Sequence, residues 1–507
     1  MKLRKKVLAS LLSVAMVATV FAGCGTETQT TEEAQSTNET GTSSEKAEET
    51  SEVVNLHMYV NSNITPDLDK VGDAISEITK EKIGATITLH EFGPGEYTEK
   101  MPMLIASDEP MDIGFDAGWM TYVQNSKAKA YLDIKDMLDT VPALKEFVPE
   151  ELWEAATVDG GIYGVPNYKE IGEAWVAKID KTVVDEMGFD LSGIKKLEDF
   201  EPMLEYVQKN MPERALLMVA NNPGHLNVDA AYYFDTILAG DHPIAVVDKE
   251  EGKTVQSFFE TERYQEFIKL MRDWYLKGYI CEDALTRDNF DEYTKASHNM
   301  GIEFSQYAPQ AEASYSAYYG SEVSIAYASP VTITNNSATG SMCCIYAKSE
   351  HPEEALKFLE LLNTDTEIKD LLTYGIEGVH YTLNEDGKIV KTPEQYEMYD
   401  AQNWATGSIF TATLLEGESD TKYEEYQAFN DMAVPAVNLG FQPETDSIAD
   451  KIAAVNNVVA EYNPVLAFGT VEPDEVYPQF VEALKAAGID DIISELQRQF
   501  DEWQATK

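Results

Sequence analysis

Apolar and polar residues alternate from Val53 to Val60 and stop at Asn61-Ser62-Asn63, which predicts a strand followed by a polar loop. Leu68, Val71, Ile75 and Ile78 then recur at three- and four-residue spacing, so Asp67 to Lys82 reads as a helix with Gly84 as its stop. Ala85 to Leu89 is a second strand, and strand, helix, strand is the rhythm of a parallel α/β sheet. A helix around Tyr97 to Ala106 leads to "MDIGFDAGW" (111–119), a short strand running into a loop. Farther on, "VDGGIYGVPNYKE" (158–170) reads as a hairpin turn and an extended crossing, "EAWVAK" as a strand, and 200–210 and 261–276 as helices. "IAVVDKEEGKTVQSF" (244–258) reads as a surface hairpin, and "NMGIEFSQYAP" (299–309) as a strand that ends in an aromatic turn. In 334–365 a strand precedes a helix with Pro352 in its first turn and Ala355, Phe358, Leu359 and Leu362 on one face. Ile492, Leu496, Phe500 and Trp503 form the apolar stripe of a last helix. Trp153 and Trp175 sit in apolar patterns and read as core.

The start of the chain follows a different pattern. Lys2, Arg4, Lys5 and Lys6 precede an uncharged apolar run from Val7 to Ala22, too short for a bilayer-spanning helix of about 20 residues and ordered as a secretory signal is. Residues 25–52 hold eight Glu, one Lys and no aliphatic side chain larger than Ala, so they cannot bury enough surface to offset the entropy of ordering. They read as a tether with a reach of roughly 30 Å. "FAGC" (21–24) between them resembles the lipobox of bacterial lipoproteins, with Phe where Leu is usual, and that resemblance implies that Cys24 is the lipidated first residue of the mature protein.

A net charge of −51 repels phosphate backbones and anionic surfaces and argues against a nucleic-acid partner. Cys281, Cys343 and Cys344 are an odd number, two of them adjacent in a strand-like run, and read as small buried apolar residues. Seven His without metal-ligand spacing, and no GxSxG, P-loop or GxGxxG, leave no metal, cofactor or catalytic motif to build on.

Several segments in order, "MDIGFDAGW…KAYLDIKDMLD", "LWEAATVDGGIYGVPN", "NMGIEFSQYAP", "AKSEHPEEALKFLELLNTDTEIKDLLTYGIEGVHY" and "ELQRQFDEWQ", resemble extracellular solute-binding proteins of family 1, the maltodextrin-binding-like group of ABC importers. The tail and "YGIEGVHY" are most similar to the Gram-positive LipO-like subgroup. The resemblance implies an α/β, two-lobed periplasmic-binding-protein-like (type II) fold with a hinge and an interlobe ligand cleft. The expected layout is signal 1–23, lipidated tether 24–52, first lobe 53–165 plus about 331–395, and second lobe 166–330 plus about 396–507.

The function so implied is a monomeric, lipid-anchored receptor on the outer membrane face, not an enzyme, which delivers a sugar or oligosaccharide to ABC permease subunits. Its contacts carry over by position: Asp116 and Trp119 on the loop after "DIGF", Glu170 as the acidic residue at the lobe crossing, and Tyr307 as the stacking aromatic that closes "GIEFSQY". Asn61, Asn222 and Trp404 join them by neighbourhood. Flat apolar sugar faces suit aromatics, and hydroxyls suit Asp, Glu and Asn. Two alternatives stay open: a peptide or other small solute in the same cleft, since an acidic protein attracts cations, and a glycoside hydrolase using two of the many carboxylates.

Overall fold

The computed structural model describes residues 53–107, 109–214, 224–240, 242–286 and 302–507; Asn222, Cys24, the signal and the tether lie outside them. The predicted β-α-β opening is present as strand Val54–Asn61, helix Leu68–Ile83 and strand Ala85–Phe92, with the two strands parallel in register from Val54 opposite Ala85 to Asn61 opposite Phe92. Gly84 makes the tight exit from the helix at φ +71°, a left-handed conformation that costs glycine little. Val71 and Ile75 bury the inner face of this helix, while Lys80 and Lys82 sit in its last turn, where cations suit the helix dipole.

These strands belong to a five-stranded sheet in the order Ala85–Phe92, Val54–Asn61, Ile113–Asp116, Met342–Ile345, Val165–Pro166. The first three are parallel, whereas Met342–Ile345 runs antiparallel to both of its neighbours. It returns from far down the chain to complete the sheet. Around it lies one hydrophobic core drawn from residues 56–171, 333–405 and Leu439, including the Ala355, Phe358, Leu359 and Leu362 face of helix Pro352–Thr364. Tyr399, Ala401 and Ala405 pack in this core, beyond the position near 395 at which the sequence was divided.

A second core draws on residues 177–328 and 441–500. Its sheets are antiparallel: Ile302–Gln306, Trp175–Asp180 and Val323–Tyr327 form one, and Val255–Ser257, Pro243–Asp248 and Phe234–Ala239 the other. The expected hairpin at 244–258 is present, but only its turn lies at the surface. Ile244 to Val247 are buried because helices Gly224–Tyr233 and Ile489–Gln504 pack on this sheet, and a strand covered on both sides carries a continuous apolar run instead of an alternation. The last helix buries Ile492, Leu496 and Phe500, as its stripe predicted, with Trp503 partly buried beside them. Trp153 and Trp175 are partly buried against the first and second cores respectively. Cys343 and Cys344 are buried thiols; Cys281, expected to be buried too, is only half so.

Three segments cross between the cores side by side. Glu173 bridges Thr332, and Thr332–Ile333 pairs in parallel with Val434–Pro435. Among the described residues no helix is long and apolar enough to cross a membrane.

Candidate functional site

The three parallel strands of the first sheet end at one edge, so the loops that follow them collect there, the usual place for ligands in open α/β sheets. Asn61 closes the first strand. It is 3% exposed, and its Oδ1 has no hydrogen-bond partner among the described residues.

Asp116 ends the third strand. Its Oδ1 accepts from the Ala117 and Thr121 backbone N–H groups at 2.7 and 3.1 Å, and its Oδ2 from the Asn125 amide at 3.1 Å and the Tyr131 hydroxyl at 2.5 Å. A buried carboxylate with that many donors has nothing left to offer a solute. Asp116 thus supports the loop from within, and the expectation that it touches ligand is corrected.

What the loop presents is Trp119. Its ring is 56% exposed, and its indole N–H is tied to the Gly340 carbonyl at 2.8 Å. It leans on the buried ring of Phe115 at 6.4 Å between centroids, and Trp404 meets the same ring edge-on at 5.6 Å while remaining 36% exposed. Two exposed indoles thus share one buried support, the offset arrangement aromatic rings favour. The Trp404 carbonyl accepts from Ser341 Oγ at 2.7 Å, and that oxygen in turn accepts from the Asn167 amide at 2.7 Å.

Glu170 and Tyr307 lie at the crossing, near helix Lys422–Asp431. Glu170 is paired with Lys169 at 2.7 Å, and the Asn430 side chain accepts from Ile171 N at 3.0 Å and donates to Lys169 O at 3.0 Å, fixing that stretch of chain. Burial and then the Glu170 carboxylate push the Tyr426 phenol up to about 12. Tyr307 packs edge-on against Phe429 at 5.7 Å and Tyr327 at 5.4 Å, and its hydroxyl donates to Glu312 at 3.2 Å. Burial and then Glu312 hold its phenol well above the ordinary value, so it stays a neutral donor.

Asn61, Trp119 and Trp404 thus share one edge of the first sheet and its neighbouring loop, whereas Glu170 and Tyr307 form a separate group. Beside the crossing, residues of both cores line a cavity of about 430 Å³, among them Gly118, Gln124, Glu173, Trp175, Asn227 and Asn336. None of the sequence-predicted contacts among the described residues lines it, although Gly118 precedes Trp119. Another cavity, of about 510 Å³, lies by the opposite strand ends at Asn55, His57 and Asp112. Phe115, Glu173 and Asn227 were missed because each looks like any other strand or helix residue until the two cores are placed.

The fold is that of two-domain solute-binding proteins. The chain is 26% identical, over the full length of both proteins, to a carbohydrate ABC transporter substrate-binding protein of Streptococcus pneumoniae serotype 4. Among solved structures it superposes on the N-glycan transport solute binding protein NgtS of Streptococcus pneumoniae with a TM-score of 0.73 at 24% identity, covering 88% of this chain and 98% of that one. A solute-binding protein associated with an HMO-binding ABC transporter of Bifidobacterium longum infantis aligns with a TM-score of 0.63 at 15% identity, over 89% and 99% of the two chains. Residues 437–505 match a domain of unknown function, DUF3502. The resemblance to family 1 solute-binding proteins drawn from the sequence is borne out by these relatives.

Proposed function

We propose that this chain is the solute-binding protein of an ABC importer, which captures a sugar or oligosaccharide between two lobes built on the two cores and presents it to permease subunits. The observation that carries the reading is the pair of exposed indoles, Trp119 and Trp404, propped on Phe115 at the loop edge of the first sheet. Such faces suit the apolar side of a pyranose ring, and the carbohydrate named for the full-length relative supports that cargo. Glu170 and Tyr307 at the crossing, Asn61 beside the indoles, and Asn222 complete the proposed contacts. A solute that touches both lobes favours the closed state by its differential affinity, and the side-by-side crossing segments are where such closure would bend.

The protein acts without turnover in this reading, as a monomer held to the outer membrane face through lipidated Cys24. A thermal-shift screen against mannose-containing glycans, other neutral oligosaccharides and short peptides tests it, since a solute at 100 times its dissociation constant adds about 2.7 kcal/mol. A rise with one glycan class is expected. Trp119→Ala with Trp404→Ala should weaken that glycan at least about 30-fold, the scale of an aromatic hot spot. Undiminished affinity in the double variant would sink the site, and a response confined to peptides, weakening with salt, would replace the cargo. Cleaved glycan in the incubation would establish a hydrolase instead. Loss of labelled palmitate on Cys24→Ala checks the anchor.

A further inference from the structure

Trp119 and Trp404 are held in different ways. The indole of Trp119 has its own hydrogen bond to Gly340, whereas the indole N–H of Trp404 has none among the described residues. The position of Trp404 is therefore set by its edge contact with Phe115 and by its backbone. That backbone is a single turn of 3₁₀ helix, Asn403–Ala405, followed by Thr406. Its exposed side carries the indole, and its inner side turns carbonyl oxygens toward the core.

Lys369 reaches those carbonyls. It stands on helix Thr366–Tyr374, is 0% exposed, and its Nζ donates to Asn403 O at 2.9 Å and to Thr406 O at 2.6 Å, with Thr406 Oγ1 at 3.4 Å. No carboxylate pairs with it among the described residues: the neighbouring Asp370 accepts instead from Thr413 N at 2.8 Å and Thr413 Oγ1 at 2.5 Å. An ammonium is costly to bury without an anion, and this one spends its donors on the two carbonyls that bracket the exposed indole. A second amine braces the same loop upstream, Lys391 donating to Tyr399 O at 2.6 Å and Tyr374 O at 3.3 Å. Ser341 holds the carbonyl between, that of Trp404 itself.

We propose that Lys369 is a positioning residue of the solute site, clamping the carbonyls of Asn403 and Thr406 so that Trp404 stands in its ligand-ready place. The proposal rests on the reading above that Trp404 touches solute. Replacing the ammonium by a methyl-ended chain of similar volume leaves both carbonyls without a donor and releases the turn, while Trp119, held independently, stays.

The test uses the full chain labelled with 5-fluorotryptophan, whose six Trp residues give six fluorine signals, Trp404 being assigned through W404F. In K369M the Trp404 signal should shift or broaden while the other five remain, which also shows that the variant is folded. K369Q, which keeps an N–H donor at the site, should restore it in part. An unmoved Trp404 signal in folded K369M overturns the proposal, as does a K369Q signal displaced as far as that of K369M; where K369M does not fold, an unmoved signal in folded K369A overturns it. Affinity is then read with Man5GlcNAc, the ligand named in a solved NgtS complex, and with the glycan class found by the screen. K369M should lose about tenfold, with no further loss when added to W404A, because the two changes act through one contact. Additive losses overturn the clamp, whereas intact glycan binding in W404A alone overturns the reading on which it rests.

Discussion

Lys369 also makes the stability of this protein depend on alkaline pH in a direction that can be worked out. Burial lowers its ammonium from 10.5 to about 7, an effect that the nearby Cys343 and the Asp370 carboxylate offset only in part; the Cys343 thiol is itself pushed up to about 11 by burial. Between those two values the unfolded chain holds the proton and the folded chain has released it, so raising the pH favours the folded state. Below pH 7 the full penalty applies, and above 10.5 it has vanished. From pH 7 to pH 9 the gain works out at about 2 kcal/mol, starting at half of the limiting slope of about 1.4 kcal/mol per pH unit. Lys391, also lowered by burial, contributes in the same direction, so the comparison that isolates Lys369 is wild type against K369M. Urea unfolding followed by tryptophan fluorescence at pH 7, 8 and 9 provides it. Wild type should gain about 2 kcal/mol more than K369M over this range. Two curves rising in parallel would refute the assignment of a buried, deprotonating amine.

Two further perturbations probe the second core. Arg263 binds both oxygens of the buried Asp229 through Nε at 3.0 Å, reaches Glu198 at 2.9 Å and lies over the Tyr233 ring at 4.8 Å. Burial still holds the Asp229 carboxyl up at about 6 despite that partner, so Arg263→Met should cost about 3–5 kcal/mol, measured as a lowered melting temperature that Asp229→Asn partly restores. Gly469 ends helix Ala449–Ala467 at φ +66°, and a Cβ there would lie 2.2 Å from the Met271 carbonyl oxygen. Gly469→Ala should therefore destabilise by more than about 1 kcal/mol, and an unchanged melting temperature would show that the two helices part easily.

The local pattern foretold the first sheet well. Alternation in 53–60, the helical spacing of Leu68, Val71, Ile75 and Ile78 and the Gly84 stop reappear within a residue or so, because the helix keeps an exposed face and the strand is exposed on one side over its first half. Second-core strands were harder to place: Ile244 to Val247 are covered on both sides, so no alternation marks which way they face. Helices Ala449–Ala467 and Pro473–Ala487 contain Pro464 and Pro478, residues that normally argue for an end. At the candidate site, aromatic type and loop position pointed to Trp119, whereas only the structure reveals that Trp404 rests on the same Phe115 ring. Asp116 misled because a carboxylate on a loop looks alike whether it faces solute or the backbone and side-chain donors packed around it. Lys369 gave no signal at all, since a lysine in a helix next to Asp370 reads as surface until burial is known.

The strand Met342–Ile345 has a consequence for how the chain is made. It is the fourth strand of a sheet whose first three end at residue 116, and the whole inserted stretch from Trp175 to Tyr327 is synthesised between them. At about 5–20 residues per second, roughly ten seconds or more separate the emergence of the third strand from that of its partner. During that interval Ile113–Asp116 offers an unpaired edge of backbone donors and acceptors, the kind of edge that recruits the wrong strand. The inserted half can complete its own antiparallel sheets meanwhile, except where it waits for the closing helices at 449–504. Neither core is closed until late in synthesis, the first drawing on residues up to Leu439 and the second on helix Ile489–Gln504.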